Sequence, residues 1–381
     1  MLESSQETEA SLYIHIPFCS SFCDYCDFYS VLTDNYSNDF FDTYISALIS
    51  DIRFQIDYFK IKKIPTVYIG GGTPSVLGKK IKLLLDILNE IQGFNPVEFT
   101  IEANPESITE EFLSVCKEGG INRLSLGVQT FHEPSRTSVN RLNGYSQIKS
   151  GLSLAMKYFP DSLSVDLITG LPFQDETIIK EDIKKILDFN PQHVSLYALI
   201  TEAGTSLEEK VKLKTVILPQ DDFADSLWFA GQNALINEGY ENYEISNFAK
   251  NFKYSLHNKR YWEMKNWIGA GPSASGTIID EKTGTAVRYT YSNDIKKYIN
   301  KPCITEAGSE ELDKRTLIND VLLMGCRCKD GPDSVLFKNR FGKSLNEYIP
   351  QTLENWKDRD KTVFLNQFLR EAFKELEITI V

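Results

Sequence analysis

Apolar, β-branched runs recur through the first half of the chain: LYIHI at 12–16, TVYIG at 66–70, EFTIEA at 98–103, RLSLGV at 123–128, LSVDLI at 163–168 and HVSLYAL at 193–199. Bounded by polar and turn residues, most of them read as buried strands. The segments between carry helical period instead: DFFDTYISALISDIRFQIDYF, KKIKLLLDILNEIQ, TEEFLSVCKEG, SQIKSGLSLAMKYF and TIIKEDIKKILDF. Strands alternating with helices predict a parallel sheet with right-handed crossovers. Periodicity alone fits an open doubly wound sheet and a barrel equally. The polar positions favour the barrel: a cysteine loop follows the first run, GGGTP the second, Glu102 and Asn104 end the third, Gln129 follows the fourth and Asp166 lies in the fifth. Chemistry gathered at the C-terminal ends of successive strands is what a barrel mouth requires.

The alternation fades after about residue 205. A helix-like stretch near 219–238 precedes the strand-like ENYEIS and then an aromatic, glycine-bearing segment, HNKRYWEMKNWIGAGPSASG. Composition shifts again at about 305–315, and charged amphipathic helices, TVFLNQFLREAFKEL among them, run to the end. The expected organisation is a core domain at 1–235, a connecting region at 236–305 and a small helical domain at 306–381.

With 381 residues, 42% hydrophobic and 25% charged, the chain has material for a large α/β domain and a smaller one. A formal charge of −12, from 53 acids against 41 bases, excludes a general nucleic-acid binder. No stretch of 18 apolar residues occurs, and the N-terminus MLESSQETEASLY is polar and acidic, so the expectation is a cytoplasmic protein without a membrane span. Seven cysteines, an odd number without an export signal, point to metal-bound or free thiols rather than disulfides. Cys116 near a helix end, and Cys326 and Cys328 in LINDVLLMGCRC, read as packing residues.

Cys19, Cys23 and Cys26 form CxxxCxxC, which suits a four-iron cluster held at three irons with the fourth open to a small molecule. The same spacing marks one face of a helix, but Pro17 interrupts and Ser20, Ser21, Asp24 and Asp27 leave no continuous apolar stripe. Gly70, Gly71 and Gly72 before Thr73 and Pro74 let backbone amides approach a ligand, without the lysine of a P-loop or the spacing of a dinucleotide fold. Glu102 and Asp166 interrupt apolar strands. Buried carboxylates are costly unless partnered, so they imply either a cationic or ribose-bearing ligand or salt bridges, for instance with Arg123 or Arg141.

In this order, YIHIPFCSSFCDYCDF, IGGGTPS, IEANPE, LSLGVQTF, VDLITGLPFQ and SLYALITEAGT resemble the radical S-adenosylmethionine (SAM) enzymes, and within them the HemN/HemW group of porphyrin-related proteins. The resemblance implies a partial (β/α)6 radical SAM barrel with a small, mainly helical C-terminal domain. It implies a 4Fe-4S cluster on Cys19, Cys23 and Cys26 whose open iron takes the amino and carboxylate groups of SAM. Tyr13, Gly71, Gly72, Thr73, Glu102, Gln129, Arg141 and Asp166 then match SAM contacts, and His15 a supporting position near the cluster. Relatives often carry a GRxH-like turn where this chain has RLNGYS at 141–146.

Phe28 stands where oxygen-independent coproporphyrinogen III dehydrogenases usually have a fourth cysteine, whereas Cys26-Asp27-Phe28 matches HemW-like haem chaperones. His257, Asn258, Tyr261 and Trp262 spell HNxxYW, a signature of the same branch. Taken locally, His257 reads as a hydrogen-bonded member of an aromatic packing cluster. The resemblance instead implies a haem site, with imidazole on iron and Tyr261 and Trp262 over the porphyrin. Ser255 replaces a cysteine found in some relatives, which excludes thiol capture of haem there. The implied partners are haem as cargo, a haem-accepting client such as a respiratory protein, an electron donor and a peripheral membrane contact. The alternatives are a coproporphyrinogen III dehydrogenase using a 5′-deoxyadenosyl radical, and a cluster-bearing electron carrier that binds no SAM.

Overall fold

The computed structural model describes residues 8–379 apart from 142, 360, 362 and 363. Six strands, β1 (Ser11–Ile16), β2 (Thr66–Gly71), β3 (Glu98–Ala103), β4 (Arg123–Gln129), β5 (Leu163–Thr169) and β6 (His193–Ala198), pair in sequence order, every ladder parallel. The crossovers carry α1 (Asn38–Tyr58), α2 (Ile81–Asn89), α3 (Glu110–Glu118), α4 (Tyr145–Tyr158) and α5 (Glu176–Leu187). Thr109 and Asp175 cap α3 and α5 by accepting from backbone N–H groups left free in the first turn.

Each strand alternates. Leu12, Ile14 and Ile16, Val67 and Ile69, Phe99 and Ile101, Leu124 and Leu126, Val165 and Leu167, and Val194 and Leu196 enter one apolar core with the helices. The residues between them, Tyr13 and His15, Tyr68, Thr100 and Glu102, Ser125, Asp166 and Ser195, face the other way. The outer face is therefore oil-like and the inner face polar.

Chain from beyond residue 240 extends this sheet at both edges. On one side β7 (Glu241–Asn242) and β8 (Asn247–Ala249) follow β6, β8 running antiparallel to it. On the other, β9 (Trp267–Ala270) lies parallel to β1 and leads to β10 (Ser275–Asp280), β11 (Thr285–Thr290) and β12 (Gly308–Leu312). Between β8 and β9 comes the short helix α6 (Leu256–Trp262). A second core joins Met264, Trp267, Ile279 and Ala286 to Leu312 and to helical residues through Leu376, including α7 (Lys314–Gly325). Cys116 and Cys326 are buried in these two cores, as packing residues should be. Among the described residues no helix is long and apolar enough to cross a membrane.

Candidate functional site

The loop after β1 returns on itself where Phe18–Cys19 pairs with Val31–Leu32, leaving Cys19, Cys23 and Cys26 partly buried above the strand ends. Burial raises Cys19 and pushes Cys26 up to about 11, and the neighbouring thiols push the same way. The environment of Cys19 and Cys26 thus favours neutral thiols unless positive charge arrives. A chain of polar contacts ties two of them together. Cys19 Sγ lies 3.6 Å from Thr73 Oγ1, Asn104 Nδ2 donates to Thr73 Oγ1 at 3.1 Å, Arg141 Nη2 donates to Asn104 Oδ1 at 2.7 Å, and Arg141 Nη1 points at Cys23 Sγ from 3.6 Å. Asn104, which the sequence marked only by its place at a strand end and assigned to no ligand, is the link between Thr73 and Arg141.

His15 sits beneath the loop. Its Nε2 meets the Tyr29 carbonyl at 2.9 Å and its Nδ1 the Tyr13 hydroxyl at 3.0 Å. A carbonyl only accepts, so Nε2 carries the proton and Nδ1 accepts from Tyr13. Burial holds His15 neutral, with its pKa lowered to about 4. Gly71 runs at φ +115°, and a Cβ there would lie 2.5 Å from the His15 ring, so the turn must be glycine.

Glu102 and Asp166 retain some exposure at the mouth although protein surrounds them. Glu102 accepts from the Tyr68 hydroxyl at 2.6 Å and from Gly71 N–H at 3.1 Å, and Asp166 accepts from Ser125 Oγ at 3.0 Å. Neither belongs to an ion pair among the described residues. Arg123 is engaged with Glu98 at 3.7 Å and Arg141 with Glu106 at 3.9 Å. Burial pushes Glu102 up to about 7, with the Asp166 charge adding to it, and Asp166 to about 6, against the opposing pull of their hydroxyl partners and, on Asp166, of the Arg123 charge. Gln129, just past the bulge in β4, has φ +68° and a buried Oε1 without a partner among the described residues, and Arg141 Nε is likewise buried and unpartnered among them. Strain and orphaned polar atoms of this kind collect where a ligand completes the structure.

The raised Glu102 has a measurable sign. Its proton is held more tightly in the folded than in the unfolded chain, so this stabilisation is full below about 4.5 and lost as pH rises through about 7. For SAM-free protein, the difference in unfolding free energy between wild type and Glu102→Gln should change by roughly 3 kcal/mol from pH 4.5 to pH 8. Chemical denaturation at several pH values reads this, and a pH-independent difference rejects an unneutralised Glu102.

The sequence profile of the radical SAM superfamily matches residues 13–189. A heme chaperone HemW from Lactococcus lactis subsp. lactis (strain IL1403) is 33% identical over 354 residues, 90% of either chain. This chain belongs to the HemW family of radical SAM proteins. The heme chaperone HemW of Bacillus subtilis (strain 168) is 30% identical over 91% of this chain and 90% of its own. Among solved structures, coproporphyrinogen III oxidase (HemN) from Escherichia coli superposes with a TM-score of 0.78 across 96% of this chain and 90% of its own, at 22% identity. That likeness is one of fold, and it confirms the expected α/β radical SAM architecture with a helical C-terminal part.

The family implies a 4Fe-4S cluster and SAM, and the residues fit both. Among the described residues no three His, Cys, Asp or Glu side chains are gathered tightly enough for a single metal ion. Cys23 nevertheless stands close enough to Cys19 and Cys26 for its charge to raise both, a spread suited to a cluster whose thiolates sit on separate irons. For SAM, two largely enclosed carboxylates outside any ion pair, and Gln129 Oε1 and Arg141 Nε without a partner among the described residues, are the fitting observation.

The HNxxYW residues do not share one open face. His257 is 1% exposed, its Nδ1 2.9 Å from Thr66 Oγ1 and its Nε2 2.9 Å from the Tyr261 hydroxyl. The imidazole expected to face iron is thus hydrogen-bonded at both nitrogens, at the N-terminal end of β2 and away from the cysteines. Helical geometry is the reason: His257 and Tyr261 are four residues apart and share a face, while Asn258 and Trp262 lie on the next. Trp262 stacks under Arg327, 5.3 Å from its ring centre. Tyr261 alone of the four reaches a cavity of about 770 Å³ shared with Tyr13, His15, Phe22, Phe28, Tyr29 and Trp267.

Proposed function

We propose that this protein holds a 4Fe-4S cluster on Cys19, Cys23 and Cys26, binds SAM against Tyr13, Gly71, Gly72, Thr73, Glu102, Gln129, Arg141 and Asp166, and carries haem to an acceptor protein. The observation that carries the SAM reading is the pair of largely enclosed carboxylates, Glu102 and Asp166, which belong to no ion pair among the described residues. SAM brings an ammonium, a sulfonium and two ribose hydroxyls. Bound, the cluster supplies an electron and SAM a reducible sulfonium. The chain's own part is to desolvate and orient: the glycine turn admits the methionyl end to backbone amides, Asn104 fixes Thr73 against Arg141, and Tyr68 aims Glu102.

Haem as cargo is supported by the names of the relatives and by the cavity beside the cysteine loop. Its aromatic wall and volume suit a flat apolar macrocycle. Phe28, 63% exposed at that cavity, occupies the position of the fourth cysteine in the coproporphyrinogen branch, which weighs against porphyrinogen oxidation.

The test is anaerobic. Reduced, reconstituted protein is incubated with SAM and either haem or coproporphyrinogen III, and then with an apo-haem protein. The expected result is stoichiometric haem binding and transfer, with no protoporphyrinogen formed. Stoichiometric protoporphyrinogen production would replace this reading with the dehydrogenase, and absence of SAM binding with the electron carrier.

A further inference from the structure

The helix α6 closes the barrel at the end opposite the cysteines. Glu98, at the start of β3, accepts from Leu256 N–H at 2.9 Å and His257 N–H at 2.8 Å, and Arg123 at the start of β4 donates to the Lys253 and Tyr254 carbonyls at 3.2 Å each. Thr66, which meets His257 Nδ1, is itself 2.8 Å from Ser11 Oγ. The first residues of β2, β3 and β4 thus seat this helix and the turn before it as a floor, with Ser11 of β1 bonded to Thr66. Directly above, the Tyr68 ring lies 5.3 Å from the imidazole at an interplanar angle of 32°. The Tyr68 hydroxyl holds Glu102 Oε1, and Glu102 Oε2 in turn holds Gly71 of the GGGTP turn. The packing leaves no slack: a Cβ on Gly70 would meet Tyr68 Cε1 at 2.8 Å and the Glu102 carboxyl at 2.9 Å.

We propose that His257 is a positioning residue for the SAM pocket, setting the Glu102 carboxylate through the ring of Tyr68, rather than a ligand to haem iron. Held on two sides by Thr66 and Tyr261, the imidazole is a fixed surface on which the phenol rests. Without it, Tyr68 can sink toward the floor and draw its hydroxyl from Glu102, leaving a buried carboxylate with a single donor. The HNxxYW segment then serves SAM from the far end of the barrel, and Trp262 under Arg327 ties the same floor to the C-terminal helices.

The inference rests on Glu102 contacting SAM, and the experiment separates the two. SAM affinity is titrated anaerobically on reconstituted full-length protein for wild type, Glu102→Gln, Tyr68→Phe, His257→Ala, His257→Gln and the Tyr68→Phe/His257→Ala double variant. Loss of the hydrogen bond to a charged group should weaken SAM about tenfold in Tyr68→Phe. His257→Ala should match it, and the double variant should be no weaker than Tyr68→Phe alone. His257→Gln, whose amide can bond both Thr66 and Tyr261, should recover most of the affinity and guards against a folding defect in the alanine variant. The visible spectrum of added haem should be the same in wild type and His257→Ala. Full additivity, an unchanged SAM affinity in His257→Ala, or loss of an imidazole-iron spectrum in that variant overturns the proposal. Unchanged affinity in Glu102→Gln removes the SAM reading and the inference with it.

Discussion

Changing any one of Cys19, Cys23 or Cys26 to alanine is expected to abolish the iron-sulfur absorbance of anaerobically reconstituted protein, with bound iron falling from about four atoms per chain toward none. Two remaining thiolates leave half of a cubane's irons without protein ligands. The fold should survive, because all three side chains lie on a partly exposed loop and contribute nothing to either apolar core. Circular dichroism should therefore match wild type while the visible bands vanish. Retention of those bands in all three variants would end the cluster assignment.

Gly72→Ala is expected to cost nearly as much, with no ligand removed. A Cβ at this position would lie 2.8 Å from the Phe18 carbonyl oxygen, 2.9 Å from the Pro17 carbonyl carbon and 2.9 Å from Cys19 Sγ. Two of the three obstacles are backbone, and that backbone is pinned: Gly72 N–H donates to Ile16 O at 2.9 Å and Thr73 N–H to Phe18 O at 2.8 Å. The loop can accommodate the methyl only by moving Cys19, so iron content and SAM affinity should fall together. Gly144→Ala is the control, since its nearest neighbour is Gln147 Oε1 at 3.8 Å and its backbone angle is ordinary. Equal iron content in Gly72→Ala and wild type would show that the turn does not brace the cysteine loop.

The six barrel strands were legible because each carries period-two alternation between turn signals. TVYIG and EFTIEA begin where β2 and β3 begin. Glu102 and Asp166 were legible for the opposite reason, as charges at positions where neighbours demand oil. Their partners were not, since Tyr68 and Ser125 meet them across strands, and register is set by the assembled sheet. Asn104 became significant only once Thr73 and Arg141 stood on either side of it. Beyond residue 240 the strand-like ENYEIS marked β7, whereas β8 and β9 gave no periodic signal, being three and four residues long. For HNxxYW the linear motif suggested one surface, whereas four-residue spacing on a helix joins His257 to Tyr261 and sends Trp262 elsewhere.

The pairing of β1 with β9 and of β6 with β8 also governs how the chain is made. A ribosome that has released the radical SAM core alone presents a sheet with two bare edges, each a template for the wrong partner. Both gaps close only when residues 247–270 have emerged, and the β1–β9 pairing joins positions more than 250 residues apart, as between Trp267 and Ser11. Such distant pairing folds slowly. The nascent protein therefore passes through a long exposed stage, and a fragment ending near residue 235 should accumulate as aggregate rather than as a free-standing domain.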